Sequence, residues 1–205
     1  MNIPNIITMA RLALTVLVFV CLEWAVQPWR TVPVIDVEIG AGAADPNPTL
    51  VWIAFAMFLV AAITDFLDGY LARKWNMVTA FGRIADPFAD KILITGTLVM
   101  LLRFPTAREV LTYWYVVIVV AREFLVTAIR GYVESIGKAF GADQLGKWKM
   151  VMQCWTCAAV LSMVAGGTMF VECAHIGFWT SLVLTVVSCL NYVVKAKKLI
   201  GDAPM

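Results

Sequence analysis

The sequence predicts an all-α integral membrane protein of six transmembrane helices, and three observations lead there. Of its 205 residues, 61% are hydrophobic and only 15% are charged, whereas soluble domains carry roughly 45–50% apolar and about 25% charged residues. The apolar residues gather into six runs of a length suited to a hydrocarbon core, which takes about 20 helical residues to cross. The basic residues then alternate in density between the connecting segments, as membrane orientation requires. A net charge of +2 offers no surface for a phosphate polymer, so a nucleic-acid binder is excluded. The composition also excludes a disordered chain and a disulfide scaffold.

The first run covers 6–26. It follows Met1-Asn2-Ile3-Pro4-Asn5, with no basic n-region and no small-x-small site, so it reads as a retained helix and not an export signal. The second covers 50–73. The third, 87–104, is purely apolar only after Lys91, and the last three cover 110–130, 150–171 and 176–194. An even count brings both termini to one side. On that side lie Arg73, Lys74 and Arg83, then Arg130, Lys138, Lys147 and Lys149, then Lys195, Lys197 and Lys198; the other side has Arg30, Arg103 and Arg108. The richer side is expected to be cytoplasmic, with both termini inside. Residues 27–49, rich in proline, glycine and acid, form an outer loop, and 1–205 reads as a single membrane domain.

Several features carry plain readings. Cys154 and Cys157 form a C-x-x-C inside an apolar run, but zinc takes four donors and His175 is the only histidine, so they read as soft apolar filler. Trp24, Trp29, Trp52, Trp75, Trp114 and Trp148 lie near helix ends, as an aromatic belt requires. Gly166-Gly167 is expected to let the fifth helix pack closely against a neighbour.

The informative anomaly is four aspartates at the cytoplasmic ends of helices two and three. Asp65 and Asp68 follow an apolar run, and Asp86 and Asp90 precede one. Acids in a membrane segment cost roughly 2.5–3.5 kcal/mol on insertion scales and mark function by default. At helical spacing Asp65, Asp68, Gly69 and Ala72 share one face, and Asp86 and Asp90 share a face of the next helix. Residues 74–85 form a short connection, so the four carboxylates converge at one interface. Their all-oxygen character suits a hard divalent cation, Mg²⁺ or Mn²⁺. Gly69 and Ala72 leave room for a ligand, Gly82 relaxes the turn, and Arg73 offers a fork to a phosphate. This reads as metal-assisted phosphoryl transfer at the membrane surface. The plainer alternative makes Asp86-Pro87 a helix N-cap and first turn, and pairs Asp65 or Asp68 with Arg73 or Lys74.

The run from Asp65-Phe-Leu-Asp68-Gly69-Tyr-Leu-Ala72-Arg73 through Gly82 and Asp86 to Asp90 resembles the complete signature of the CDP-alcohol phosphotransferase family. Three further blocks, Asn2 to Arg11, Ala121 to Arg130 and Gln144 to Lys149, are similar to the bacterial phosphatidylglycerophosphate synthases of that family. The resemblance implies a multi-pass protein of the cytoplasmic (inner) membrane that works as a homodimer. It implies transfer of the phosphatidyl group from CDP-diacylglycerol to glycerol 3-phosphate, giving phosphatidylglycerol phosphate and CMP. By the same resemblance Asp65, Asp68, Asp86 and Asp90 hold two divalent ions, with Asp90 also the catalytic base. Gly69, Ala72, Arg73 and Gly82 line the cytidine diphosphate pocket, with Asn5 and Thr8 at its edge.

The acceptor needs a phosphate clamp of its own. Arg130, Lys147 and Lys149, with Arg122 deeper on helix four, are the candidates. Snorkelling lysines and an Arg122 held by adjacent Glu123 form the plainer reading. Within the family, inositol phosphate or phosphatidylglycerol remain alternative acceptors. From a different class, a small cation transporter would spread its acids along a path through the membrane, whereas these cluster at one interface.

Overall fold

A computed structural model describes the backbone at residues 3–26, 46–75, 80–137, 144–167 and 170–201, and side chains at 8–26, 46–65, 88–89, 91–137, 144–167 and 170–199. The described backbone forms α1 (Ile3–Ala25), α2 (Pro48–Trp75), α3 (Ala80–Leu101), a single turn α4 (Pro105–Arg108), α5 (Tyr113–Ser135), α6 (Gln144–Val164) and α7 (Val171–Gly201). Each of the six apolar runs thus becomes a long helix, and no strand occurs among the described residues. Three described stretches are long and apolar enough to cross a membrane: Thr8–Ala25, Pro48–Asp65 and Val171–Leu199. The apolar part of α3, Lys91–Leu101, is shorter. In α5 the charged residues Arg122, Glu123 and Arg130 interrupt the apolar sequence, as Lys147 and Lys149 do in α6.

Contacts fix the direction of each helix. The amide of Asn47 donates to the Ala25 carbonyl at 3.0 Å, joining the end of α1 to the start of α2. Glu23 pairs with Arg103 just beyond α3, so α3 runs parallel to α1. Thr156 Oγ1 lies 3.3 Å from Ser181 Oγ and Gln153 Nε2 lies 3.2 Å from Thr185 Oγ1, which sets α6 and α7 antiparallel. The long helices alternate in direction. One end of the bundle therefore gathers the start of α1, the end of α2, the start of α3, the end of α5 and the start of α6.

Periodicity explains the packing. On α1 the buried residues Thr8, Arg11, Thr15, Val18, Leu22 and Ala25 recur every three or four positions. On α2 the stripe is Val51, Ala54, Phe58 and Ala61, and on α7 it is Ala174, Phe178, Ser181, Thr185, Ser188, Tyr192 and Ala196. One continuous apolar core links residues from every helix. Packing is tight between α6 and α7, where a Cβ added at Gly177 would lie 2.9 Å from Thr156 Oγ1 and 3.3 Å from Thr156 Cα.

Three boundaries differ from expectation. Helix α3 starts at Ala80. Asp86-Pro87 is therefore inside the helix and does not cap it, at the cost of the hydrogen bond that Pro87 cannot donate. Gly82 belongs to the first turn of α3 and not to a connecting turn. Helix α6 starts at Gln144, so Lys147 and Lys149 lie within its first two turns and do not precede it. Gly166-Gly167 ends α6 and does not pack it: Gly166 has φ +96°, with Gly167 N donating to Ser162 O at 2.9 Å and Gly166 N to Met163 O at 3.1 Å. That is a Schellman termination, which needs a left-handed residue and so favours glycine.

Candidate active site

The site begins with two polar stripes that meet at the same end of the bundle. Helix α2 continues unbroken to Trp75, so positions 65, 68 and 72 extend its buried stripe by the same three- and four-residue steps. On α3 the buried positions 89, 93, 94, 97, 98 and 101 lead back through 90 to 86. Both helices pack against α1. Asp65 lies against Arg11 of α1, and positions 68, 86 and 90 fall at the same end of the bundle.

Asp65 is the one of the four whose side chain is described. It is 20% exposed and is ion-paired with Arg11, which is 1% exposed. Asp65 is thus tied to an arginine from another helix, while the side chains of Arg73 and Lys74 lie outside the described residues. Thr15 Oγ1 donates to the Arg11 carbonyl at 2.9 Å one turn further along α1. Thr8, expected at the cytidine edge, is buried one turn before Arg11. The side chains of Asn5, Asp68, Gly69, Ala72, Arg73, Gly82, Asp86 and Asp90 lie outside the described residues, although their backbones are helical. Among the described residues no group of three or more His, Cys, Asp or Glu could hold a metal ion.

The second part of the site is a cluster between α5, α6 and α7. Arg122 is 7% exposed and Lys149 is 5% exposed. Glu123 Oε1 accepts from Arg122 Nη1 at 3.1 Å and also receives Lys149 Nζ. Arg122 Nη2 donates to Ser188 Oγ at 2.7 Å, and the guanidinium carbon lies 5.5 Å from the centre of the Tyr192 ring. Arg130 Nη2 donates to the Tyr192 hydroxyl at 3.3 Å. So Arg122, Arg130 and Lys149 come together, while Lys147 is exposed on the first turns of α6. Lys149 does not snorkel to the surface.

Two buried donors in this cluster are unsatisfied among the described residues, the Nε–H groups of Arg122 and Arg130. A buried donor left without an acceptor costs about 1–3 kcal/mol. A tetrahedral oxyanion would meet that need, and forked guanidinium groups match its geometry.

A bridge joins the two parts. Lys91, the residue after Asp90, donates to Thr127 Oγ1 on α5. Thr127 Oγ1 in turn donates to the Glu123 carbonyl at 2.6 Å. Sequence reasoning assigned no role to Arg11, Lys91, Thr127, Ser188 or Tyr192. A signal existed for two of them: Arg11 and Lys91 are cations within or beside apolar runs, where an unpaired charge is costly and a partner must exist.

The sequence model of the family described as CDP-alcohol phosphatidyltransferase matches residues 1–187. A CDP-diacylglycerol–glycerol-3-phosphate 3-phosphatidyltransferase of Bacillus subtilis is 34% identical over 192 residues, covering 93% of each chain. Its namesake in Rickettsia bellii is 29% identical over 200 residues, covering 96% of each chain. Another, from Haemophilus influenzae, is 31% identical over 152 residues, covering 71% of this chain and 78% of the relative.

Proposed function

The chain belongs to the CDP-alcohol phosphatidyltransferase family, and on that premise we propose that it transfers the phosphatidyl group of CDP-diacylglycerol to glycerol 3-phosphate, releasing CMP. The observation that favours a phosphorylated acceptor is the cluster of Arg122, Arg130 and Lys149, with two buried guanidinium N–H groups in want of an oxyanion, and the names of the relatives favour glycerol 3-phosphate among such acceptors. An acceptor without a phosphate would leave them unsatisfied.

In this reading Asp65, Asp68, Asp86 and Asp90 hold two divalent cations, Mg²⁺ or Mn²⁺, because carboxylates at one-turn spacing on two neighbouring helices are the hard oxygen donors such ions take. The ions, when bound, neutralise charge on the diphosphate. Arg11 orients Asp65 from the side of α1. Gly69, Ala72, Arg73 and Gly82 line the cytidine diphosphate pocket, with Asn5 and Thr8 at its edge. Asp90 accepts the proton of the primary hydroxyl of glycerol 3-phosphate. The oxygen so freed forms a bond to the phosphorus that carries diacylglycerol, and the bond from that phosphorus to the CMP oxygen breaks. Arg130 and Lys149, with Arg122 behind them, hold the acceptor phosphate so that its hydroxyl meets Asp90, and the exposed Lys147 adds positive charge at its approach.

The six long helices cross the cytoplasmic (inner) membrane with both termini inside, and the protein works as a homodimer. Support for the orientation comes from the unequal basic residues of the two ends. The test is CMP release by purified protein from CDP-diacylglycerol across a panel of glycerol 3-phosphate, inositol phosphate, phosphatidylglycerol and serine. Release with glycerol 3-phosphate alone supports the reading; a preference for any other acceptor defeats it.

A further inference from the structure

We infer that Glu123 is the positioning residue of the acceptor-phosphate cradle, its one carboxylate holding Arg122 of α5 and Lys149 of α6 at the separation that receives a phosphate dianion. The inference rests on the functional reading above and adds a residue to it. Helices α5 and α6 both pack on α7 and on α3, yet among the described residues they scarcely approach one another along their backbones. Glu123 crosses that gap. Its Oε1 accepts from Arg122 Nη1 at 3.1 Å and receives Lys149 Nζ from the facing helix.

The rest of the cradle fixes Arg122 from below. Ser188 Oγ accepts from its Nη2 at 2.7 Å, and the ring of Tyr192 lies beneath the guanidinium. Gly146, less than one turn before Lys149, keeps the space beside them narrow but open: an added Cβ would come 3.7 Å from the Tyr192 hydroxyl and 3.9 Å from Arg122 Nη2. The Nε–H of Arg122 is left buried and without an acceptor among the described residues.

Two cations this deeply buried repel each other, and each has lost the hydration of its charge. The Glu123 carboxylate opposes both effects. It also lies on the turn of α5 that Thr127 ties to Lys91, next to Asp90. Glu123 therefore sets how well the acceptor phosphate is held, and the proton transfer itself belongs to Asp90.

The test uses the purified full-length protein with Glu123→Gln, which keeps the shape and removes the charge, and Glu123→Asp, which keeps the charge but is one methylene too short to reach both cations. In each variant the KM for glycerol 3-phosphate should rise roughly tenfold or more, while kcat at saturating acceptor stays within about threefold and the KM for CDP-diacylglycerol is unchanged. Glycerol 3-phosphate alone should raise the melting temperature of the wild type and not that of the variants. An unchanged acceptor KM, or a fall in kcat without one in affinity, overturns the inference. Should Glu123→Gln not fold, Glu123→Asp decides by the same constants. A wild type that uses no glycerol 3-phosphate defeats the functional reading instead, a result distinct from a working enzyme indifferent to Glu123.

Discussion

Arg11 on α1 is ion-paired with Asp65 on α2, 54 residues further along the chain. The pair locks the first two helices together at the end of the bundle where the four aspartate positions gather. With the arginine 1% exposed and the aspartate 20% exposed, neither charge has full access to water. Arg11→Met should therefore destabilise the protein by about 3 kcal/mol, the cost of removing one partner of a buried pair. Adding Asp65→Asn should recover part of that loss, because it removes the carboxylate that has lost the arginine's charge. Unfolding of the two variants in detergent checks this, and a single variant as stable as the wild type would show that the pair anchors nothing.

Asp90→Asn should reduce turnover by about 10²–10⁴-fold, the usual contribution of a general base. Binding of CDP-diacylglycerol should survive, because the amide keeps the size of the side chain. Single-turnover kinetics beside lipid-nucleotide binding measure the two separately. A variant that still turns over at the wild-type rate removes Asp90 as the base.

Chelation of divalent ions should stop CMP release, and either Mg²⁺ or Mn²⁺ should restore it, since both accept all-oxygen sites. Titrating the metal back after chelation gives the result directly. Full activity in the presence of excess chelator would contradict a carboxylate metal site.

Gly177→Ala should cost about 1–3 kcal/mol through overpacking between α6 and α7. The added methyl meets both Thr156 Oγ1 at 2.9 Å and the Thr156 Cα at 3.3 Å, and the second of these cannot rotate away. By contrast, the three atoms nearest a Cβ at Gly96, two of them at 2.9 and 3.0 Å and one closer, all belong to the ring of Phe19, which can turn aside. Melting temperatures of the two alanine variants should therefore fall in that order.

Arg130→Gln should raise the KM for glycerol 3-phosphate about tenfold, the price of one charge-assisted contact to phosphate. The KM for CDP-diacylglycerol should not move. Equal weakening towards both substrates would place Arg130 outside the acceptor site.

Much of the architecture was legible because apolar run length and helical period are properties of the chain itself. All six long helices follow from them, and so does the shared face of Asp65 and Asp68. Helix ends were less legible. Residues 80–86 and 144–149 mix apolar residues with glycine and charge, and both helices extend through them. Gly166-Gly167 could serve either packing or termination on composition alone, and only its positive φ decides. The partners of charged groups were the least legible: Arg11 with Asp65, Arg122 with Ser188 and Lys149 with Glu123 are each brought together by the approach of distant helices. A residue such as Tyr192, far along the last helix, has no local pattern that announces its place beneath an arginine.

The most direct test of the central claim follows the phosphatidyl group itself. Purified protein in mixed micelles is given CDP-diacylglycerol, Mg²⁺ and radiolabelled glycerol 3-phosphate, and label is followed into the lipid phase while CMP is counted in the aqueous phase. Label should enter the lipid as phosphatidylglycerol phosphate, one molecule for each CMP released. CMP release with no label in the lipid, or no release at all, would contradict it.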